Sequence, residues 1–334
     1  MSSHDLFRVA PLLLAACLLP RSAMSDTAKA AVEGGGAPTP QATCFFVASY
    51  HAGHRWTDDI EGALRAGLVD RCRVITSYLD TKRERAVERM AAAGEAAHRR
   101  MLELAPDVVI TSDDNAVRHF VEPWLIGTDM PVVFSGVNWT IEGYRLPASN
   151  VTGIIEVTPV RSLLELGRDL SGGTRIAFVG SDTHTNLKNL AHAQRYADEL
   201  GLQVESLLVD NVAAFREAYV EAQTFDFVVL GERFGIAGWN EAEIEDFTAS
   251  ATRTLVLSAI AHMRPHAAVS LTQIAAEQGE WAAAAARDIL DGVGPAAIPL
   301  SVNRRWDAWV NESLLTASGV RIDERFLHTA KRVR

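Results

Sequence analysis

Residues 44–64 read CFFVASYHAGHRWTDDIEGAL. A short apolar run, Cys44–Ala48, gives way to a loop crowded with polar and aromatic groups, Ser49–Trp56, and then to a helical pattern over Thr57–Leu68. An almost continuously apolar strand followed by a helix is the half-unit of a parallel sheet covered on both faces. The unit recurs on either side. Strand-like runs fall at Arg73–Ser77, Asp107–Ile110, Pro131–Phe134 and Asn150–Ile155, with helical patterns at Arg83–Leu104 and Asn115–Leu125 between them.

The alternation then restarts. Helical stretches at Pro159–Leu170, Asn186–Leu200, Val212–Gln223 and Asn240–Ser250 separate strands at Arg175–Gly180, Val204–Val209, Phe225–Gly231 and Thr254–Ala259. A shorter tail follows: Ala267–Ile274 extended, Gln278–Asp291 helical, Ile298–Val302 extended, and a last helix near Trp309–Ala317. One strand and one helix for each half imply that the chain crosses back. The expected fold is therefore α/β, with two Rossmann-like lobes joined by a multi-crossover hinge. The expected limits are 42–155 plus about 264–294 for lobe 1, and 156–263 plus about 295–325 for lobe 2. Ligands of open parallel sheets bind outside the carboxyl ends of the strands, which places a cleft between the lobes.

Bulk properties fit this reading. The 334 residues suggest two domains, and 48 % hydrophobic with 22 % charged residues is ordinary globular composition. A formal net charge of -10 disfavours nucleic acid as a partner, because phosphate binding needs a basic face. Val9–Leu19, VAPLLLAACLL, is too short to span a bilayer and reads as the apolar part of an export signal, so 1–30 is taken as a signal segment. Leu14-Ala15-Ala16-Cys17 resembles a bacterial lipoprotein signal, which would put a lipid anchor on Cys17; ordinary cleavage after Ala28-Lys29-Ala30 is the rival. The Gly- and Pro-rich stretch 31–41 is a flexible tether. In an oxidising compartment Cys44 and Cys72 pair if their strands are neighbours; otherwise they are two small buried thiols.

Chemistry-bearing residues gather in loops after strands. These are Ser49–Trp56, Thr111–Asn115, Ser135–Trp139, Ser181–Asn186 and Glu232-Arg233. Short polar residues at such places cap helices, and the free N–H groups beside them hold carboxylate or phosphate. No GxSxG elbow and no GxxxxGK[ST] loop occurs, and no spacing orders a Ser, His and Asp into a triad, so the chain is not read as an enzyme. His51 and His54 lie three apart without a CxxC or HExxH to support a metal, and no cofactor is expected. Asp113 and Asp114 read as caps, one of them available to a ligand amine. Trp56 and Trp139 either stack on a ligand or close the core, while Trp281, Trp306 and Trp309 read as packing residues. Three Asn-x-Ser/Thr matches, at Asn138, Asn150 and Asn311, are taken as chance.

SYHAGHRWTDDIEGAL (49–64), PDVVITSDDNAV (106–117), PVVFSGVNW (131–139) and NVTGIIE (150–156), in that order, resemble the ABC-transporter substrate-binding protein family of the type I periplasmic-binding-protein fold, in the branch that includes binders of aromatic amino acids. EQGEWAAAAARDILDG (277–292) resembles the helix after the return to the first lobe, and the resemblance covers most of Ala42–Ile322. Arg264-Pro265-His266 departs from the glycine-rich stretch expected at that crossover, which bears on the ligand class. The resemblance implies a periplasmic or lipid-anchored receptor that closes on a small amino-acid-like solute and presents it to an ABC permease. A sensing subunit for a histidine kinase on the same fold is the alternative. Carried over by motif, Ser49, Tyr50 and Trp56 form one wall, Asp113 and Asn115 supply an acceptor and an amide, Asn138 lies near the hinge, and Ser181, Thr183 and Glu232 come from the second lobe.

Overall fold

The structure, a computed structural model, describes residues 42–84 and 86–333. The expected signal segment, the tether and Cys17 lie outside the described residues. In chain order the first half runs β1 (Ala42–Ala48), α1 (Arg55–Leu68), β2 (Cys72–Tyr78), α2 (Val87–Leu104), β3 (Val108–Ser112), α3 (Asp113–Ala116), a π-helical turn (Val117–Val121), α4 (Glu122–Trp124), β4 (Val132–Asn138) and β5 (Val151–Glu156). The second runs α5 (Val160–Ser171), β6 (Arg175–Ser181), α6 (His184–Leu200), β7 (Gln203–Val209), α7 (Val212–Ala222), β8 (Phe227–Leu230), α8 (Glu241–Ala251), β9 (Leu255–Ser258) and, after a 3-10 turn at Ala261–His266, β10 (Val269–Gln273). The tail supplies α9 (Ala275–Leu290), β11 (Ser301–Val302), β12 (Trp306–Val310), α10 (Glu312–Ser318), α11 (Glu324–Thr329) and β13 (Lys331–Arg332).

These strands form two sheets, ordered β11-β5-β4-β3-β1-β2 and β13-β12-β10-β9-β8-β6-β7. All pairs are parallel except β10 with β12. Alternation along β1 shows why both faces are covered. Cys44, Phe46 and Ala48 enter a core with Ile60 and Leu64 of α1 and Ala282 and Ala286 of α9. Phe45 and Val47 enter another with Ala97 and Met101 of α2 and Phe120 of the π-helical turn. The second sheet repeats the arrangement, Ile176 and Phe178 facing α5 and α6, Ala177 and Val179 facing α7.

The crossovers fall where sheet membership changes: after Glu156, after Gln273 and after Val302. This corrects two expectations. Val269–Gln273 pairs with β9 in the second sheet rather than belonging to a first-lobe segment from about 264, and Ser301–Val302 extends the first sheet rather than the second lobe. The residues around Trp309 are strand, not helix. WDAWV alternates across β12 and pairs antiparallel with β10, and the helix starts only at Glu312, where Asn311 accepts a hydrogen bond from the Leu314 N–H at 3.3 Å. Expected helix 115–125 is broken by its π-helical turn.

β1 and β2 are neighbours, and Cys44 and Cys72 are joined by a disulfide across them with Cα atoms 5.9 Å apart. The three crossovers are also laced together by side chains. Gln273 Nε2 donates to Glu156 Oε1 at 3.0 Å and to Thr158 Oγ1 at 3.2 Å. Asn303 accepts from the Val157 N–H at 2.6 Å and donates to the Val157 carbonyl at 3.1 Å. Glu277 accepts from the backbone N–H groups of Arg304 and Arg305 at 2.9 and 3.0 Å. Because Gln273 ends β10 and Glu156 ends β5, the carboxyl edges of the two sheets meet at this hinge.

Candidate functional site

The site begins with a conformation. Asp113, directly after β3, has φ +68, and Gly136, in a bulge of β4, has φ +70. A Cβ at residue 136 would lie 3.3 Å from Asp113 Oδ1, so the bulge brings bare backbone against the carboxylate. A side chain in the left-handed region is uncommon and concentrates at functional places. Asp113 is 2 % exposed. Its Oδ1 accepts from the Trp56 indole N–H at 3.0 Å, whereas Oδ2 is buried and has no hydrogen-bond partner among the described residues.

Two further acids share this corner. Asp114 Oδ2 accepts from Asn138 Nδ2 at 2.7 Å, and its other oxygen from the Tyr144 hydroxyl. Glu156 is opposite Asn138 in the β4–β5 register. Burial pushes Asp113 up to about 7; the charge of Asp114 adds to this, while the Trp56 hydrogen bond and Lys82 oppose it. Burial, then the charges of Asp113 and Asp114, hold Glu156 well above the carboxylate range against Lys82. Burial and the same three acids raise the Tyr50 hydroxyl too. Among the described residues no such group is arranged to hold a metal ion.

Beside the acids lies a recess of about 300 Å³ lined by Tyr50, Thr81, Lys82, Met90 and Asn115. Lys82 Nζ stands 4.5 Å over the Tyr50 ring, and His54 lies against the same ring at 4.8 Å. Asn115 Nδ2 donates to Thr81 Oγ1 at 2.9 Å. Ammonium, amide and hydroxyl groups make this recess suited to a carboxylate.

Ser49 sits elsewhere. It is fully buried, its hydroxyl donating to the Ser112 carbonyl at 2.6 Å and accepting from the Ala116 N–H at 2.8 Å, so it pins β1 to the start of α3. His51 is turned onto its own loop, Nδ1 lying 2.9 Å from the Ala52 carbonyl oxygen. Of the first-lobe candidates, Tyr50, Trp56, Asp113, Asn115 and Asn138 come together around the acids and the recess, and Ser49 stands behind them.

The second lobe presents its own edge. Ser181, fully buried, shares a 3.0 Å hydroxyl contact with Thr183, and its N–H donates to the Glu232 carbonyl at 2.8 Å. Gly235, φ +105, lets its loop close on Thr183: a Cβ there would lie 2.6 Å from the Thr183 methyl group. Glu232 Oε1 accepts from the Arg233 and Phe234 N–H groups at 2.9 and 3.0 Å and lies 2.6 Å from His262 Nε2. Burial alone would raise the Glu232 carboxyl, but His262 and the two N–H groups outweigh it and hold it below the usual range. The Phe234 ring, 59 % exposed, stands 4.5 Å from the His262 ring.

Lys82, Glu156, Thr81, His262 and Phe234 were not among the sequence candidates, and Asp114 stood there only as a cap that shared with Asp113 the option of meeting a ligand amine. The loop after β2 carried a signal that could have found Lys82 and Thr81, since every strand of a parallel sheet delivers its following loop to one edge. Arg264, the departure noted in the sequence, stacks on Trp309 at 4.0 Å and bonds the Ala261 carbonyl through Nε at 2.6 Å.

Comparison with known proteins adds the following. The family model described as ABC transporter substrate binding protein matches residues 91–334. An ABC domain in complex with L-Trp from Streptococcus pneumonia is similar at 17 % identity and TM-score 0.60, over 87 % of this chain and 100 % of that one. A ligand-free, open substrate-binding protein with adhesive properties from Clostridium difficile has 13 % identity and TM-score 0.70, over 88 % and 99 %. A leucine-binding protein from Thermotoga maritima has 12 % identity and TM-score 0.52, over 75 % and 83 %. The shared architecture is that of type I periplasmic binding proteins.

Proposed function

The chain belongs to the family of ABC transporter substrate-binding proteins, and from that premise we propose that it captures a small amino-acid-like solute between its lobes and delivers it to an ABC importer. The family is one of binding proteins rather than enzymes, and its members are generally periplasmic or exported. A lipid anchor at Cys17 would hold this one at the membrane surface. The Cys44–Cys72 disulfide supports an oxidising compartment.

The observation that carries the ligand class is the pairing of Asp113 with its neighbouring recess. A buried carboxylate oxygen without a partner is costly unless something arrives to use it. A protonated amine would supply that partner, and the recess beside Lys82 and Asn115 would take the carboxylate of the same zwitterion, with Thr81, whose hydroxyl donates to the Ser49 carbonyl, holding Asn115 in place. The L-Trp complex and the leucine-binding protein of the same fold support an amino acid as the first class to try. Closure of the lobes would bring Thr183, Glu232 and Phe234 onto the solute from the other side.

The test is mass spectrometry of whatever leaves the purified protein on denaturation, with a thermal-shift screen of the L-amino acids, small carboxylic acids and sugars. An amino acid that is released and also raises the melting temperature is the expected result. Stabilisation by sugars alone, or by nothing in the screen, would sink the reading. Phe234→Ala is expected to weaken that amino acid about tenfold through lost apolar contact while leaving the apo melting temperature within about 1 °C, because the ring is mostly exposed. Calorimetry of binding and of unfolding checks both halves.

A further inference from the structure

We propose that Trp139 is a fourth crossing of the hinge, a non-covalent one, and that it sets the angle at which the two lobes rest.

Trp139 follows the last residue of β4 and so belongs to the first lobe by chain. Its N–H donates to the Glu156 carbonyl at 2.8 Å, which fixes its backbone to the first crossover. Its φ is +64, a conformation that turns the side chain away from the path a strand would give it. The indole then leaves its own lobe. It packs against the second-lobe core. Its Nε1–H donates to Asn189 Oδ1 at 3.1 Å, and its ring lies on the His192 ring at 3.6 Å between centroids and 8° between planes. Asn189 and His192 stand one turn apart on α6, and Asn189 is 7 % exposed. A first-lobe tryptophan therefore occupies a seat built by a second-lobe helix.

Its position decides what such a contact can do. When two bodies turn about a hinge, points near the axis move least. A contact anchored on Glu156, where the chain itself crosses, needs to shift only a little as the lobes turn, and its preferred stacking and hydrogen-bond geometry then biases where they rest. One at the far lip of the cleft would have to break. To the side-chain bonds that lace the crossovers, a flat ring clamped on α6 adds a restraint on twist of one lobe against the other. The left-handed backbone at Trp139 fits this role, since strained conformations persist where surrounding contacts hold them for a purpose. The assignment rests on reading the lobes as moving bodies, as the proposed function does, but it concerns the empty protein and is tested without any solute.

The experiment is small-angle X-ray scattering of the full chain, with melting temperatures alongside. Trp139→Ala is expected to raise the radius of gyration above that of the wild type and to broaden the pair-distance distribution. Asn189→Ala with His192→Ala, on the other lobe, should give the same shift, and joining all three substitutions should add nothing more. Trp139→Phe, which keeps a ring but loses the N–H, should fall between. Val69→Ala, on an exposed position outside both the contact and the proposed site, serves as the control and should superimpose on the wild type. If Trp139→Ala does not fold, the Asn189/His192 double variant carries the test from the opposite side. Scattering unchanged in every folded variant, whatever the melting temperatures do, would overturn the assignment and leave Trp139 a packing residue. Whether wild-type scattering contracts with an amino acid from the screen is read separately and judges the solute-binding reading alone.

Discussion

Asp113→Asn should lose about two orders of magnitude in affinity for the amino acid that stabilises the wild type, and at the same time the empty variant should melt higher above pH 7. Both halves follow from one carboxylate. Removing the charged partner of a desolvated ammonium costs about 2–5 kcal/mol, of which asparagine recovers a part through its amide oxygen. The gain in stability has the opposite origin. Asp113 is buried with one oxygen unpartnered, and its pKa in the folded chain is about 7, above the ordinary aspartate value of 3.8. Between those two values the folded state holds a proton that the unfolded state has released, so stability falls as pH rises through that window and stays reduced above it. The variant lacks this loss. A bound ammonium would reverse it in the wild type by favouring the charged form, so solute binding should release a proton near pH 7 and weaken in acid. Isothermal titration in two buffers of different ionisation enthalpy, with melting curves from pH 4 to pH 9, checks the set. A variant that both binds normally and melts as the wild type does at every pH would remove Asp113 from the site.

The second large effect concerns the disulfide. Cys44 and Cys72 are separated by 28 positions, and the bond joins the edge strand β2 to its neighbour β1. Closing a loop of that size in the unfolded chain is worth roughly 3.5 kcal/mol on the chain-entropy account. Spread over a folded body of this length, that corresponds to roughly 6 °C in melting temperature. Cys44→Ala with Cys72→Ala, or the wild type under reductant, should lose about this much, with solute affinity changed far less because neither sulfur approaches the acids. Equal melting of the oxidised and reduced wild type would contradict the estimate.

How much of this could be read without coordinates depends on how far the controlling contact lies along the chain. The strands of the first half were legible because FFVA, VVIT and VVF are apolar on both faces and are bounded by polar loops. The loops after strands marked Tyr50, Trp56, Asp113 and Asn138 for the same local reason. Glu156 was not legible. In sequence it is the polar end of NVTGIIE, and only pairing with Asn138 and the approach of Gln273 from 117 positions away bring it to the corner that Asp113 and Asp114 occupy. Lys82 was hidden beside the charged run that read as a helix from Arg83; that helix begins only at Val87, and the loop after β2 that holds Lys82 is longer than expected. Trp309 and Val310, the end of WDAWV, were taken into the last helix because the tail offers little period, and the strand character of the stretch is conferred by β10. Ser49 shows that position in a loop does not give the partner of a side chain. A serine in a promising loop can be spent entirely on holding the backbone in place.

The interleaved crossovers have a consequence for how the protein comes into being. The first sheet acquires its outer strand from Ser301–Val302 and the covering helix α9 from Ala275–Leu290, although its other strands are complete by Glu156. The second sheet waits still longer, for β12 and β13. A growing chain thus cannot finish either lobe before nearly all of it has been synthesised. Until then the face of β1 that α9 will cover stays open, and contacts between such distant segments form slowly. Late completion keeps the emerging first half incomplete and apolar on one face for most of synthesis, the state in which a chain is most open to aggregation.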